Sequence, residues 1–301
     1  MIEMEETPDL VDPLVIAAFE GWNDAADAAS SVVDHLIEVW GARVVGTLDP
    51  EDFYDFQVNR PLVSTGDDGH RRITWPTTRI AVASPPDLDR DVILVRGIEP
   101  NMRWRQFCAE ILAACDELGG ELVVTFGALL ADTPHTRPIP VSGTATEPEL
   151  VDRLKLEPST YEGPTGIVGV FQDACARLDI PAVSYWAAVP HYVAQPPCPK
   201  ATLALVGQLE DLLEVSIPLG ELAEDARAWE RGVDELAEED EDVADYVRSL
   251  EESRDTAELP EASGEAIARE FERYLKRRDD DGPGSGPGSG PGSGQGPVAG
   301  G

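Results

Sequence analysis

The sequence is poor in positive charge, and this shortage excludes several classes of protein. Among its 301 residues, 58 acidic side chains outnumber 23 basic ones, which gives a formal net charge of −35. Only three of the basic residues are lysines, at positions 155, 200 and 276. Such a surface repels nucleic-acid phosphates and anionic membranes, and it attracts basic partners. We therefore expect neither a nucleic-acid-binding nor a membrane-binding protein.

Cysteine and long apolar runs are also scarce. The four cysteines, at positions 108, 115, 175 and 198, lack the spacing of a zinc site, so we expect no metal and interpret them as reduced core residues. No run approaches the roughly 18 apolar residues of a membrane span. The acidic segment 1–12 lacks the basic and apolar regions of a signal peptide. These absences predict a soluble, cytoplasmic protein.

Short apolar runs alternate with amphipathic helical segments through the first 200 residues. Residues 14–19, LVIAAF, are typical of a strand buried on both faces, and residues 24–40 repeat apolar side chains at helical spacing behind a cap at Asn23 or Asp24. A bend or hairpin is expected between two β segments at 71–75 and 79–84. The pattern predicts an α/β fold with a mainly parallel central sheet flanked by helices. The other predicted strands are 42–48, 91–97, 121–126 and 181–189, and the other helices are 102–118, 147–156 and 167–178.

Composition divides the chain into four predicted regions. An N-terminal tail, residues 1–11, precedes an α/β core domain at 12–217. An acidic helical C-terminal region follows at 218–281, where apolar residues still recur at helical spacing among many carboxylates. Residues 282–301 repeat glycine, proline and serine without any core-forming side chain, so we expect a disordered tail.

Four loops begin where a predicted apolar strand ends, at residues 20–24, 96–105, 128–143 and 187–200. The carboxyl ends of parallel strands share one edge of a sheet, and open α/β sheets bind their ligands there. We call these four loops the strand-end rim. The ligand-binding candidates in and near the rim are Glu20, Gly21, Asn23, Asp24, Glu99, Asn101, Arg103, Asp132, His135, Arg137, Gly163 and His191.

Each candidate also has a structural interpretation. Asp24 could cap a helix instead of lining a pocket, and the arginines of residues 96–105 could pair with carboxylates instead of holding an anion. His135 could act as a base beside Arg137, or it could only brace a proline-stiffened loop. Gly163 could belong to a phosphate-binding turn, or it could help a helix lie close to the sheet. No dinucleotide, P-loop or nucleophile-elbow motif is present, so we assign no catalytic residue and no cofactor.

The loop sequences resemble the actinobacterial branch of the proteasome assembly chaperone 2 family over roughly residues 12–278. The resemblance implies a core like that of purine nucleoside phosphorylases and related hydrolases, a C-terminal helical extension, and a homo-oligomer for which a trimer is one option. Eukaryotic members are non-catalytic chaperones of proteasome α-rings that use a C-terminal hydrophobic–Tyr–X tail. The nearest match here, residues 273–275, is internal, so we do not expect direct docking on a proteasome by such a tail. The segments that carry the resemblance are FEGWNDAADAA, RGIEPNMRWR, GALLADTPHTRPIPVSG, YEGPTGIVGVFQDAC and SYWAAVPHYVAQPPCPKA.

The sequence thus favours a non-catalytic, chaperone-like interaction protein over an enzyme. The alternative is a small-molecule-binding protein or an enzyme, nucleoside phosphorylase/hydrolase-like or ligase-like, that uses the strand-end rim. An enzyme needs these loops to converge on a cleft, with an acid within hydrogen-bond reach of His135. An interaction protein needs an exposed apolar or charged patch, which we expect on the C-terminal helices.

Overall fold

The computed structural model describes residues 2–5, 7–66, 68–156 and 161–258, with side chains up to residue 255. The chain divides into two units, Met1–Ala257 and Glu258–Gly301, and the fold below is that of the first unit. Residues 259–301 lie outside the described residues, and they include the predicted tail at 282–301 and the end of the predicted helical region. The division into these four regions stays a prediction.

The described strands coincide with the apolar runs of the sequence and add three shorter segments. The predicted strand 121–126 is longer than expected and reaches Ala131, so the loop that follows it is correspondingly shorter. The strands are β1 (Ile2–Met4), β2 (Leu14–Glu20), β3 (Arg43–Leu48), β4 (Leu62–Thr65), β5 (Arg71–Thr74), β6 (Arg79–Ala83), β7 (Val92–Ile98), β8 (Leu122–Ala131), β9 (Val141–Ala145) and β10 (Ala182–Pro190).

The helices begin and end close to the expected positions, with one difference at the start of the first. Helix α1 begins at Ala28 instead of residue 24, because Ala26 and Asp27 adopt positive φ angles of 53° and 54° and interrupt the helical path. A short 3-10 turn, Ala25–Asp27, precedes it. The α-helices are α1 (Ala28–Val39), α2 (Trp104–Glu117), α3 (Pro148–Leu154), α4 (Ile167–Arg177), α5 (Pro199–Leu213), α6 (Leu222–Glu239) and α7 (Glu241–Glu258).

Eight of the described strands form one central sheet in the order β1-β3-β6-β7-β2-β8-β10-β9. Strands β7, β2, β8 and β10 are parallel neighbours, whereas β1, β3, β6 and β9 join by antiparallel pairing at the two sides. The predicted α/β fold is confirmed, and the sheet is mixed with a parallel centre. The carboxyl ends of the four parallel strands therefore lie on the same edge.

The two β segments expected to be joined by a bend or a hairpin belong to different sheets, so they do not form a hairpin with each other. Strand β5 pairs with β4 in a separate two-stranded hairpin, and β6 pairs with β3 and β7 in the central sheet. Every residue of β4 and β5 is exposed. Because neither strand has a buried face, the alternation that identifies a half-buried strand is missing from β4.

Alternate residues of β2 supply the two layers of the core. Leu14, Ile16 and Ala18 belong to the cluster that includes α1 and α5, and the intervening residues belong to the cluster that includes α2 and α4. On the second side Phe19 contacts Phe107 of α2, with ring centroids 5.6 Å apart. Burial on both faces explains why β2 is continuously apolar.

The acidic C-terminal helices are folded onto this core. Helix α6 lies against α5, and its Leu222 and Trp229 pack on the core cluster on the α1–α5 side. No helix within the described ranges is long and apolar enough to cross a membrane.

Candidate functional site

The strand-end rim lies on one edge of the sheet, and its loops contact one another there. The backbone N–H of Glu99 donates to the carbonyl of Glu20 at 2.8 Å, which joins the loops after β7 and β2. The N–H of Ala128 donates to the carbonyl of Asn23 at 2.8 Å, which joins the loop after β2 to β8. Backbone hydrogen bonds therefore fix the relative positions of three of the four loops.

Asn23 and Glu99 hold the beginning of α4. The N–H of Ile167 donates to Glu99 Oε1 at 2.8 Å, and the N–H of Val168 donates to Asn23 Oδ1 at 3.3 Å. These are two of the N–H groups that a helix cannot satisfy internally. Gly166 lies so close to Asn23 that a Cβ would overlap the amide of that side chain. Asn23, from the loop after β2, and Glu99, from the loop after β7, therefore cap the beginning of α4.

Asp24 performs the same task for α1. Its Oδ1 accepts the N–H groups of Ala29 and Ser30 at 2.7 and 3.2 Å, whereas its Oδ2 is buried without a hydrogen-bond partner. Burial raises the pKa of Asp24 from 3.8 to about 6, although the hydrogen bonds from Ser30 and Ala29 oppose the increase. The carboxyl is thus a cap of α1 that the structure does not fully satisfy.

Glycine at position 21 is required by the backbone and by its neighbour. Gly21 has a φ of +126°, and a Cβ there would lie 3.0 Å from the Cβ of Glu99. Gly163 lies in the segment before α4, where a Cβ would meet the hydroxyl of Tyr161. Gly21 therefore permits the close approach of two loops, whereas Gly163 contacts the exposed side chain of its near neighbour Tyr161, and its predicted role beside the sheet stays a prediction.

Two of the three arginines in residues 96–105 form ion pairs within the chain. Arg96 contacts Glu20 at 2.7 Å and Asp34 at 2.9 Å, and Arg103 contacts Asp52 at 2.9 Å. Burial opposes the charge of Arg96, but its pKa is nevertheless raised by the two carboxylates. In a chain with few cations, these contacts favour the internal-pairing interpretation.

Asn101 connects the same loop to the segment after β3. Its Oδ1 accepts the backbone N–H of Asp55 at 2.7 Å and the side-chain N–H of Asn59 at 2.9 Å. Both acceptor positions of this oxygen are therefore occupied by the protein itself.

His135 is buried beneath the C-terminal helices, with 1% of its surface exposed. Its Nε2 lies 3.0 Å from Asp234 Oδ1 of α6, and its Nδ1 lies 2.8 Å from the hydroxyl of Tyr192. The Tyr192 hydroxyl also accepts the backbone N–H of His135, so its own proton is available to Nδ1 and Nε2–H can donate to Asp234. Burial raises the pKa of Tyr192 to about 12, which keeps this hydroxyl protonated. The enzyme hypothesis requires an acid within hydrogen-bond reach of His135, and Asp234 lies at that distance. The imidazole is nevertheless buried between Asp234 and Tyr192, away from solvent.

Arg137 holds α7. Its guanidinium contacts Asp255 through two hydrogen bonds of 3.0 and 2.9 Å and Glu251 at 3.2 Å. This paired geometry is the strong form of an arginine–carboxylate contact. The bond from Arg137 lowers the pKa of Asp255. Lys200 makes a similar connection to α6 through Glu230 at 2.9 Å.

Asp132 and His191 meet the same helix. Tyr246 of α7 donates to Asp132 Oδ1 at 3.1 Å, and His191 Nδ1 lies 3.4 Å from that oxygen. The rings of His191 and Tyr246 are 5.4 Å apart and nearly perpendicular. The structure therefore brings together Asp132, His135, Arg137 and His191 as the surface on which α6 and α7 rest.

These helix partners were not identified from the sequence. Asp234 lies 99 residues beyond His135, and Asp255 lies 118 residues beyond Arg137. The only available signal is the abundance of carboxylates in residues 218–281, which does not show which of them face the rim. Within the described part of the chain, no group of three or more His, Cys, Asp or Glu side chains is placed to hold a metal ion.

A cleft lies beside the rim, between β2, β7 and the β4–β5 hairpin. Its volume is about 470 Å³, and Glu20 is the only predicted candidate among its lining residues. Arg60, Arg79 and Arg96 also line it, together with the side chain of Trp75. The sequence signal for this site is the spacing of arginines through residues 60–79 in a chain that has few of them.

Comparison with known proteins identifies the family. The family model of the PAC2 family matches residues 18–237, and the chain therefore belongs to the PAC2 family. This confirms the resemblance drawn from the loop sequences. A search of curated proteins gives no match.

Solved structures agree with this assignment. The chain is similar to a PAC2 family protein from Streptomyces avermitilis, with 62% identity, a TM-score of 0.74, and coverage of 78% of this chain and 100% of that one. It is also similar to the proteasome-assembly chaperone homologue Rv2125 of Mycobacterium tuberculosis, with 54% identity, a TM-score of 0.71, and coverage of 78% and 99%. The archaeal proteasome activator PbaB of Pyrococcus furiosus shares the fold at 18% identity, with a TM-score of 0.65 and coverage of 78% and 98%.

Proposed function

We propose that this chain is a non-catalytic, chaperone-like interaction protein of the PAC2 family that works in the cytoplasm as a homo-oligomer. The description of the 54% identical mycobacterial relative as a proteasome-assembly chaperone homologue supports this proposal. Proteasome subunits are therefore the first partners to test, and a trimer is the first oligomer to test.

The observation that carries the proposal is the division of roles at the strand-end rim. Its polar candidates are engaged in helix caps, ion pairs and contacts to α6 and α7, whereas large apolar side chains at the same edge are exposed. Trp22 is 64% exposed and Tyr161 is 66% exposed. An exposed group of large apolar side chains is typical of a protein-binding surface. We call this set the apolar rim surface: Trp22, Met102, Leu129, Leu130 and Tyr161.

The location of this surface differs from the expectation of a patch on the C-terminal helices. Among the described residues of α6 and α7, Leu236 is the large apolar side chain that is mainly exposed. The helices instead contact Asp132 and Arg137 and bury His135, and they leave Trp22 and Met102 exposed.

The test is capture of partners by the full chain from its own cells, followed by reconstitution with the purified partner. We expect the wild type to bind its partner in a fixed stoichiometry. The affinity should fall at least tenfold in a Trp22→Ser/Met102→Ser variant, because loss of a large apolar side chain from an interface costs on the order of 1–2 kcal/mol. Leu178→Ser, an exposed leucine at the end of α4 away from the rim, is the matched control. Equal capture by the wild type and the rim variant would contradict the proposal.

A small-molecule function is the second candidate, and the 470 Å³ cleft is the observation that favours it. Three arginines and an aromatic ring line a space of the size that small ligands occupy. A screen of nucleoside and sugar phosphates by thermal shift tests this candidate. Stabilisation that disappears in Arg60→Ala/Arg79→Ala but persists in His135→Ala would establish binding in the cleft, and an unchanged melting temperature with all compounds would remove this candidate.

A further inference from the structure

The β4–β5 hairpin exposes apolar side chains on a strand pair that gains no support from a second sheet. Within the described residues its two strands pair with each other only. Leu62 and Ile73 are 71% and 61% exposed, and Val63 faces Ile73 across the pair. An isolated two-stranded hairpin is marginally stable in water, so packing against another surface would stabilise it. We call its exposed residues the hairpin patch: Val63, Arg71 and Ile73 share one face of the strand pair, and Leu62 and Arg72 share the other.

The hairpin patch is also basic, in contrast to the rest of the chain. Residues 58–79 contain four arginines and two aspartates, although the chain as a whole carries a formal charge of −35. Arg71 and Arg72 are both exposed, and Arg72 contacts Asp68 at 2.5 Å. Since like charges repel and the chain is acidic elsewhere, this patch is the part of the surface best suited to an acidic partner.

The outer face of α6 has the complementary character. Residues 222–239, which form α6, contain seven acidic and two basic residues. Leu236 is 56% exposed, and a Cβ at Gly232 would extend into open space. We call this surface the acidic α6 face, and its exposed carboxylates are Glu224, Asp225, Glu235 and Glu239.

The two surfaces lie on different parts of the fold. The hairpin leads directly into β6, whereas α6 packs on α5, which lies against β10. In the sheet β10 is the fourth strand from β6, and at about 4.8 Å per strand these two strands lie roughly 19 Å apart. Two complementary surfaces at separate positions on one molecule suit head-to-tail contact between copies.

We propose that the hairpin patch of one copy binds the acidic α6 face of a second copy. The proposal rests on the homo-oligomer of the proposed function and assigns the two surfaces that form it. Val63 and Ile73, which share one face of the hairpin, are buried at the centre of the contact, and the arginine–carboxylate pairs set its orientation. A head-to-tail contact closes into a ring when its rotation allows, and a trimer is one such ring.

A charge-swap experiment on the full chain tests this interface by size-exclusion chromatography with light scattering. Arg71→Glu/Arg72→Glu and Glu235→Arg/Glu239→Arg each place like charges opposite one another. We expect each variant to associate at least tenfold more weakly, since two exposed ion pairs become two repulsions. The variant that carries all four changes restores opposite charges and should associate like the wild type. Arg153→Glu/Arg177→Glu makes the same charge change as Arg71→Glu/Arg72→Glu elsewhere on the surface and is the control for that variant.

The outcomes separate this interface from the broader proposal. Association of the wild type should weaken as salt is raised, because exposed charge pairs are screened. An oligomeric wild type that tolerates both charge reversals would overturn the interface and leave the homo-oligomer intact. A four-change variant that stays dissociated while its circular dichroism is native would also overturn it. A wild type that is monomeric at all concentrations would contradict both the interface and the homo-oligomer.

Discussion

Replacement of Asp24 by asparagine should change the pH dependence of stability in a defined direction. The carboxyl is 4% exposed, and burial raises its pKa from 3.8 to about 6. Asparagine keeps an oxygen that can accept the N–H groups of Ala29 and Ser30 and carries no charge at any pH. The substitution therefore removes the burial of a charge while it preserves the cap of α1.

The sign follows from proton binding. The folded state binds a proton at Asp24 more tightly than the unfolded state, so ionisation of this carboxyl destabilises the fold as the pH rises from about 4 to above 6. Each pKa unit corresponds to about 1.36 kcal/mol, so the full penalty at neutral pH is about 3 kcal/mol. Relative to the wild type, the Asp24→Asn variant should therefore gain roughly 2–3 kcal/mol in free energy of unfolding between pH 4 and pH 7.

Urea denaturation followed by tryptophan fluorescence at a series of pH values measures this difference. Asp116→Asn removes an exposed carboxylate from α2 and is the control for the loss of one negative charge. If the stability curves of the wild type and the Asp24→Asn variant run parallel between pH 4 and pH 7, the assignment of a strained, buried carboxylate is refuted.

Three further predictions concern the contacts beneath the C-terminal helices and the core thiols. His135→Ala should lower the free energy of unfolding by about 2–4 kcal/mol in urea denaturation, because it removes a buried ring and leaves Tyr192 without its partner; a loss within error would contradict the buried contact. Arg137→Ala should increase amide hydrogen exchange in α7 while the free energy of unfolding of the whole fold changes little, since partly exposed ion pairs contribute little to stability. Unchanged exchange in α7 would refute this role. The cysteines should react with thiol reagents only after unfolding, because burial raises their pKa values to about 12 at Cys108, Cys115 and Cys175 and to about 11 at Cys198.

The fold was predictable wherever burial imposed a period on the sequence. Strands β2, β7, β8 and β10 are covered on both faces and read as continuous apolar runs, and the main helices show one apolar face. Exposed elements do not have this constraint. Strand β4 has no buried residue, and β9 pairs only at the side of the sheet, so neither produced a signal.

The start of α1 shows a second limit of sequence patterns. Apolar spacing continues through Ala25, Ala28 and Ala29, so the helix was expected to begin at residue 24. The positive φ angles of Ala26 and Asp27 depend on the contact of this turn with Cys198, whose N–H donates to the carbonyl of Ala26 at 3.1 Å. A contact between residues so far apart in sequence is a property of the fold and leaves no local pattern.

The strand-end loops lie on one edge of the sheet, as the parallel strands predicted, but residue type alone does not decide what that edge does. Caps and ion pairs use the same carboxylates, amides and arginines that catalysis uses. A structural role differs from a catalytic one in that the protein itself supplies the hydrogen-bond or ion-pair partner of the side chain. Here Asn23 and Glu99 receive N–H groups from α4, and His135 receives Asp234 from α6. The polar side chains of the rim that are described above have their hydrogen-bond and ion-pair partners within the chain. Exposed apolar side chains such as Trp22 are then the groups left to recognise another molecule, which favours a protein partner over a polar ligand at the rim.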